Sequence, residues 1–174
     1  MKFSRNKQCG FTLVELVVVL AIIIAAITAI ISRQMSTSQT SRVQSESGNL
    51  QTIVGKVNST FAGRTSYAGA TTAFLLSQGA FPTSMVVGSN VVNGWNGTVT
   101  VAPGAGNTSV DITYGGVPSS ACIELVANTS KAYRTVTVGA TVVKTTAQSE
   151  ADLGATEAAC SATTTANVIF NAAS

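Results

Sequence analysis

The residues able to do chemistry are few and unevenly placed. The chain of 174 residues contains no histidine. His-based triads, Cys–His dyads and most zinc sites are therefore excluded at the outset. The acids of the C-terminal part are Asp111, Glu124, Glu150, Asp152 and Glu157. Glu150 with Asp152 falls well short of the oxygen shell a calcium ion needs, and reads instead as a pair of acids in the first turn of a helix. Gly104 and Gly106 lack the Lys and the following helix of a phosphate-cradling loop. The inventory predicts no catalytic residue, no metal and no cofactor. One acid stands apart. Glu15 sits in residues 11–31, which are apolar except for Thr12, Glu15 and Thr28.

Those residues must form the element that positions Glu15. A helix of this length spans roughly 31 Å, about the hydrocarbon thickness of a bilayer, and the run holds neither Gly nor Pro. A carboxylate at the centre of such a helix costs ~2.5–3.5 kcal/mol, and less near its end. An acid in the first turn at headgroup depth is the simpler account of Glu15. The upstream residues favour a sharper one. Lys2, Arg5 and Lys7, with no acid among them, hold an N-terminus on the cytoplasmic side. Gly10 then precedes Phe11.

Gly10, Phe11, Thr12, Leu13, Val14 and Glu15, after a short basic leader and before an apolar run, resemble the prepilin signature of the type IV pilins and the type II secretion pseudopilins. The resemblance implies cleavage between Gly10 and Phe11 by a membrane-embedded prepilin peptidase, and N-methylation of the new Phe11 amine. It also implies that Glu15 faces the Phe11 amine of a neighbouring subunit during assembly. An unpaired carboxylate is costly in the low dielectric of a fibre core, so a subunit that supplies a partner is selected. Many type IV pilins interrupt this helix with a Pro and a Gly, where this chain has Ile24 and Ser32.

Removing residues 1–10 would take three of the ten basic residues and leave seven against seven acids. The pI near 8.9 is then a property of the precursor, and no basic stripe remains to suggest a nucleic-acid site. Charged residues make up only 10% of the chain. That is little for a soluble monomer, and suits a subunit that buries its surface against copies of itself or a sparsely charged secreted β-protein. Cys9 falls in the leader. Cys122 and Cys160 form an even pair in a head expected to reach an oxidising compartment, so a disulfide is expected, with two isolated buried thiols as the alternative.

Beyond residue 31 the helix is predicted to continue to about 62 and become amphipathic. Val43, Leu50, Ile53, Val54, Val57 and Phe61 make one stripe, with Arg33, Gln34, Arg42, Glu46, Gln51 and Lys56 mostly off it. Gly48 and Gly55 suggest mild flexibility or close packing on a sheet. A short helical patch is predicted over 73–76 and a turn-rich bend over 93–97. Strands follow at 98–102 and 109–114, then a helix capped by Ser119 or Ser120 to about 128. A hairpin over 133–138 and 141–144 turns at Gly139, with a helix over 149–160 and a last strand over 167–170. The expected architecture is α+β, a long N-terminal helix packed on a small antiparallel sheet with short inserted helices, an α/β roll.

Residues 61–82 are similar to the loop that follows the long helix in the type IVb class of pilins. The resemblance as a whole implies four segments: a leader at 1–10, a transmembrane and fibre-core half-helix at 11–31, an amphipathic half-helix at 32–62 and a head at 63–174. It implies a homopolymer as partner, together with the peptidase and the pilus assembly machinery. The subunit would be single-pass in the inner membrane before assembly and part of an extracellular fibre afterwards, where it could touch a host or neighbouring cell. A pseudopilin or minor pilin is the near alternative. A secreted or anchored enzyme is the remote one, set against by Glu15 and by the empty catalytic inventory.

Overall fold

The computed structural model describes residues 13–146 and 148–172, side chains at 25–37 excepted. The chain divides into two compact units, Met1–Ser38 and Gln39–Ser174. Helix α1 (Leu13–Thr60) supplies the described part of the first unit and opens the second. In the first unit its apolar side chains are uncovered, Leu13 being 77% exposed and Ile22 64%. The membrane span expected over 11–31 lies partly outside the described residues. Among the described residues no helix is long and apolar enough to cross a membrane.

In the second unit α1 turns amphipathic. Val43, Leu50, Ile53, Val57 and Phe61 are buried, and Val54 packs partly against them. Glu46, expected off the stripe, is instead 4% exposed. The reason is spacing. Val43, Glu46, Leu50, Ile53 and Val57 step by three and four, so Glu46 fills the gap in the buried face. Gly48 and Gly55 serve no close packing, because a Cβ built at either meets nothing within 4 Å.

After α1 come α2 (Thr72–Ser77), β1 (Val86–Val87), β2 (Asn90–Val91), β3 (Val99–Pro103), β4 (Val110–Pro118), α3 (Ser119–Thr129), β5 (Thr135–Val138), β6 (Thr141–Lys144), α4 (Leu153–Ser161) and β7 (Thr165–Ala172). β1 and β2 make a small hairpin about Gly88 at φ +63°, a Gly-Ser turn between valine pairs. The other five strands form one antiparallel sheet in the order β3-β4-β7-β5-β6. The last strand of the chain is thus central. Its inward residues Val168 and Phe170 join Ile112, Tyr114, Val136 and the α1 stripe in one core. Tyr114 and Tyr133 both pack against the Phe170 ring, at centroid distances of 6.2 and 4.9 Å.

The α+β expectation stands, with the element bounds shifted. β4 runs beyond Tyr114 through Gly115 and Gly116 to Pro118, its register slipping between Tyr114 and Val117. Gly116 takes φ +64° at this bulge, a conformation that costs glycine little. α3 follows Pro118 without a side-chain cap, so neither Ser119 nor Ser120 caps it. α4 begins at Leu153 rather than 149, because Asp152 caps it by accepting the Ala155 N–H at 3.1 Å. Glu150 therefore lies before the helix and pairs with Lys131 at 2.8 Å. That hydrogen bond holds Glu150 below the ordinary carboxylate range and raises Lys131.

Candidate functional site

Gly10 and Phe11 lie outside the described residues. Glu15 is in the first turn of α1 and exposed, among the uncovered Leu13, Val14, Leu16 and Val17. An ordinary water-facing helix would not leave such a surface bare, since ~25 cal/mol of burial energy is forgone per Å² of apolar area. At the other end of the chain, Cys122 on α3 and Cys160 on α4 are bridged, with Cα atoms 5.9 Å apart. Both are fully buried, so the bond fastens the two late helices beneath the sheet.

The most densely bonded polar cluster joins α1 to the bend at 93–97. Arg42 donates from Nη1 to the Gly94 carbonyl at 3.0 Å, and Glu46 Oε1 accepts the Gly94 N–H at 2.9 Å. One turn of helix thus grips the two ends of a single residue. Gln39 Oε1 accepts from Trp95 Nε1 at 3.3 Å, and Asn49 donates to Glu46 at 3.3 Å. Asn93, itself buried, shapes the bend by accepting the N–H groups of Trp95 and Gly97 on its Oδ1. Its amide nitrogen donates to the Gly115 carbonyl at 2.8 Å and ties the bend to the β4 bulge. A Cβ at Gly97 would collide with that carbonyl.

Inside this clamp Glu46 Oε2 and Tyr114 Oη have no hydrogen-bond partner but each other. They are near enough to affect one another. Burial raises Glu46 above the ordinary carboxylate range, against the lowering effect of Asn49, the Gly94 amide and the Tyr114 hydroxyl. Tyr114 is pushed far up by its own burial first and then by the charge of Glu46. Neither Glu46 nor Asn93 was picked out from sequence as a site residue. For Glu46 the signal was present in the three-and-four spacing. For Asn93 nothing local distinguishes it from Asn96, which is exposed at φ +62°.

Among the described residues no group of three or more His, Cys, Asp or Glu side chains could hold a metal ion. The arrangement builds a rigid join between helix and head.

Residues 40–173 match the family model described as PilS N terminal, and residues 5–31 match the prokaryotic N-terminal methylation motif. The chain belongs to the type IV pilins. This pilin is 24% identical over 126 residues to the major structural subunit of bundle-forming pilus from two Escherichia coli strains, O127:H6 and O111:H-. The match covers 70% of the pilin, which thus spans about two thirds (65%) of the length of those relatives. Among solved structures it resembles a type IV b pilin from Salmonella typhi, with a TM-score of 0.61 and 23% identity over 75% of this chain and 99% of that one. It also resembles TcpA, a type IV pilin from Vibrio cholerae El Tor biotype, with a TM-score of 0.57 and 17% identity over 78% and 99%. The fold is that of the type IVb pilins.

Proposed function

We propose that this pilin is a structural subunit of a type IVb pilus, polymerised through its N-terminal helix into an extracellular fibre. The observation that carries the reading is the bare apolar surface of α1 from Leu13 to Ile24, interrupted by one carboxylate, on a chain whose remaining apolar residues mostly close into one core. In this reading residues 1–10 are a leader that holds the N-terminus in the cytoplasm. The prepilin peptidase cuts after Gly10 and methylates Phe11. Residues 11–31 hold the subunit in the inner membrane until the assembly machinery draws it into the fibre, where helix–helix burial must recover the tens of kcal/mol of lipid contact that it leaves. Glu15 pairs with the Phe11 amine of the neighbour and sets register. Residues 32–62 join this segment to the head, 63–174. The protein performs no catalysis of its own, and the outer surface of the head serves attachment between the fibre and other cells.

The test is the N-terminal residue and intact mass of protein sheared from cells that express the chain with its assembly genes. An N-methylated Phe11 start, in long sheared fibres, is expected, with a mass deficit of two hydrogens for the disulfide. An unprocessed Met1 or a start near Ser32 would refute the reading. A correctly processed chain that never leaves the membrane in fibres would refute its fibre half.

A further inference from the structure

The face of the sheet turned away from the α1 stripe carries a shallow cleft of about 410 Å³, large enough for a sugar. Strand register builds its floor. Asp111 pairs with Asn171, which pairs with Thr135, so the three lie in one row across β4, β7 and β5. Thr113, Ile169 and Thr137 make the next row. All six are half-buried, between inward neighbours that are fully buried. Arg134, exposed, projects into the cleft at the head of β5, while Ser109 closes the opposite rim.

The polar groups of the cleft are pre-set and incompletely used. Asn171 spends its amide nitrogen on Ser109 Oγ at 2.8 Å and Asp111 Oδ1 at 2.5 Å. Gly104 permits this network, since a Cβ there would run into Ser109 Oγ and sit 3.0 Å from that nitrogen. The carboxamide is thereby fixed with its oxygen, and the second Asp111 oxygen, left as acceptors. Among the described residues Arg134 makes no ion pair, with Asp111 or any other acid. The cleft therefore offers acceptors that want hydroxyl donors, a guanidinium that wants an anion, and a floor in which threonines pair with Ile169 across the strands.

We propose that this cleft binds a carboxylate-bearing saccharide, a sialic or uronic acid residue. Its carboxylate pairs with Arg134, two of its hydroxyls donate to Asp111 and Asn171, and its C–H face rests on Ile169 and the threonines. A phosphate dianion fits less well, because Asp111 shares the cleft and repels it. No aromatic ring lies in the cleft to stack on the sugar, so a single site is weak, with a Kd on the order of 1 mM. Repetition along a fibre would raise the avidity by ~10²-fold or more. That last step rests on the function proposed above; binding by one subunit does not.

The test uses the full chain in detergent micelles, with amide NMR shifts followed on titration with 3′-sialyllactose and, separately, lactose. Saturable shifts confined to β4, β5 and β7 are expected, at least tenfold weaker for lactose. Arg134→Gln should lose at least tenfold and Asp111→Asn several-fold, while Arg134→Lys retains part of the affinity. Spectra otherwise unchanged show that the variants fold. Equal affinity for the two sugars, indifference to Arg134→Gln, or no saturation by about 20 mM would overturn the proposal. Sheared fibres test the avidity step by itself: a monomer that binds with no gain in fibres would overturn that step and leave single-subunit binding standing, while a chain that forms no fibres bears on the function proposed above and not on the cleft.

Discussion

Replacing Glu46 by Gln tests whether the helix-to-head clamp works through shape or through charge. In the native clamp Oε1 already accepts from Gly94 and Asn49, while Oε2 has only the Tyr114 hydroxyl beside it. Gln keeps the accepting oxygen and places an N–H₂ where Oε2 stood, beside the Tyr114 hydroxyl. The hydroxyl then accepts where it had donated to the carboxylate, so that contact is kept while a buried charge is removed, a gain of about 1 kcal/mol. Against this stands the weakening of two charge-assisted bonds. The balance predicts Glu46→Gln more stable than the native chain by about 1 kcal/mol at pH 7, or roughly 3 °C in Tm for a head of this size. The pH dependence carries the sign. Glu46 is raised in the folded state, so the native protein binds this proton more tightly than the unfolded chain does. Its contribution is therefore complete below the ordinary carboxylate range and is lost as pH rises through the raised folded value. The advantage of Gln should vanish near pH 4 and grow to its full size by neutrality. Urea unfolding of the full chain in micelles, followed by the tryptophan emission of Trp95, measures it. A Gln variant less stable at pH 7, by an amount that does not change with pH, would refute the reasoning and show that the clamp needs its charge beside Arg42.

Reducing the Cys122–Cys160 bond, or replacing both cysteines by Ala, releases a loop of sequence separation 38 and should cost about 4 kcal/mol in the chain-entropy model, lowering Tm by roughly 10 °C in a thermal melt with and without reductant. Lys144→Met leaves the carbonyls of Ser130 and Tyr133, now bonded to Nζ at 2.6 and 2.5 Å, without a donor. It should destabilise the head by about 2–3 kcal/mol, read as a lower urea midpoint. Gly97→Ala drives a methyl into the Gly115 carbonyl and should cost about 3 kcal/mol or more, whereas Gly48→Ala, facing open space on a helix, should gain about 1. A Gly97→Ala head as stable as the native one would mean that the bend is not held against the bulge.

What was legible in the sequence depended on whether the deciding contact was local. The long helix, its change from all-round apolar to striped, and the run of later elements follow from periodicity within a few turns. The pairing of Cys122 with Cys160 was legible because only two cysteines remain once the leader is set aside. The central place of β7 was not, because Ala166, Asn167 and Asn171 are weak strand formers whose pairing is decided by β4 and β5 on either side. The late start of α4 turned on one side chain, Asp152, taking the capping role from which Glu150 is drawn away by Lys131. Glu46 was misread for a different reason. A charged residue was assigned to the solvent face by type, although its spacing put it on the buried one. Burial was then made tolerable by partners 48 and more positions away, Gly94 and Tyr114, which no local window contains.

A subunit that polymerises through one surface must be prevented from polymerising through others, and the sheet deals with this at both edges. An open edge strand is a template for another chain. β3 is one edge, and α2 covers it: Thr72 Oγ1 accepts the Val101 N–H at 2.7 Å and donates to the Val101 carbonyl at 3.2 Å, occupying both outward groups. The strand ends in Pro103, which has no N–H to offer, and its approach at Thr98 is bridged to Val92. β6, the other edge, is only four residues long and ends in Lys144, turned inward onto two carbonyls. Among the described residues both edges are thus partly occupied or shortened as templates for a second copy. In the function proposed above, the exposed apolar length of α1 is then the surface that drives assembly, and the sheet's outer face is the one that carries the proposed saccharide cleft. Lys144→Met bears on this beyond its effect on stability: it should raise non-fibrous aggregation of the head, seen as light scattering in micelles at temperatures below the melt.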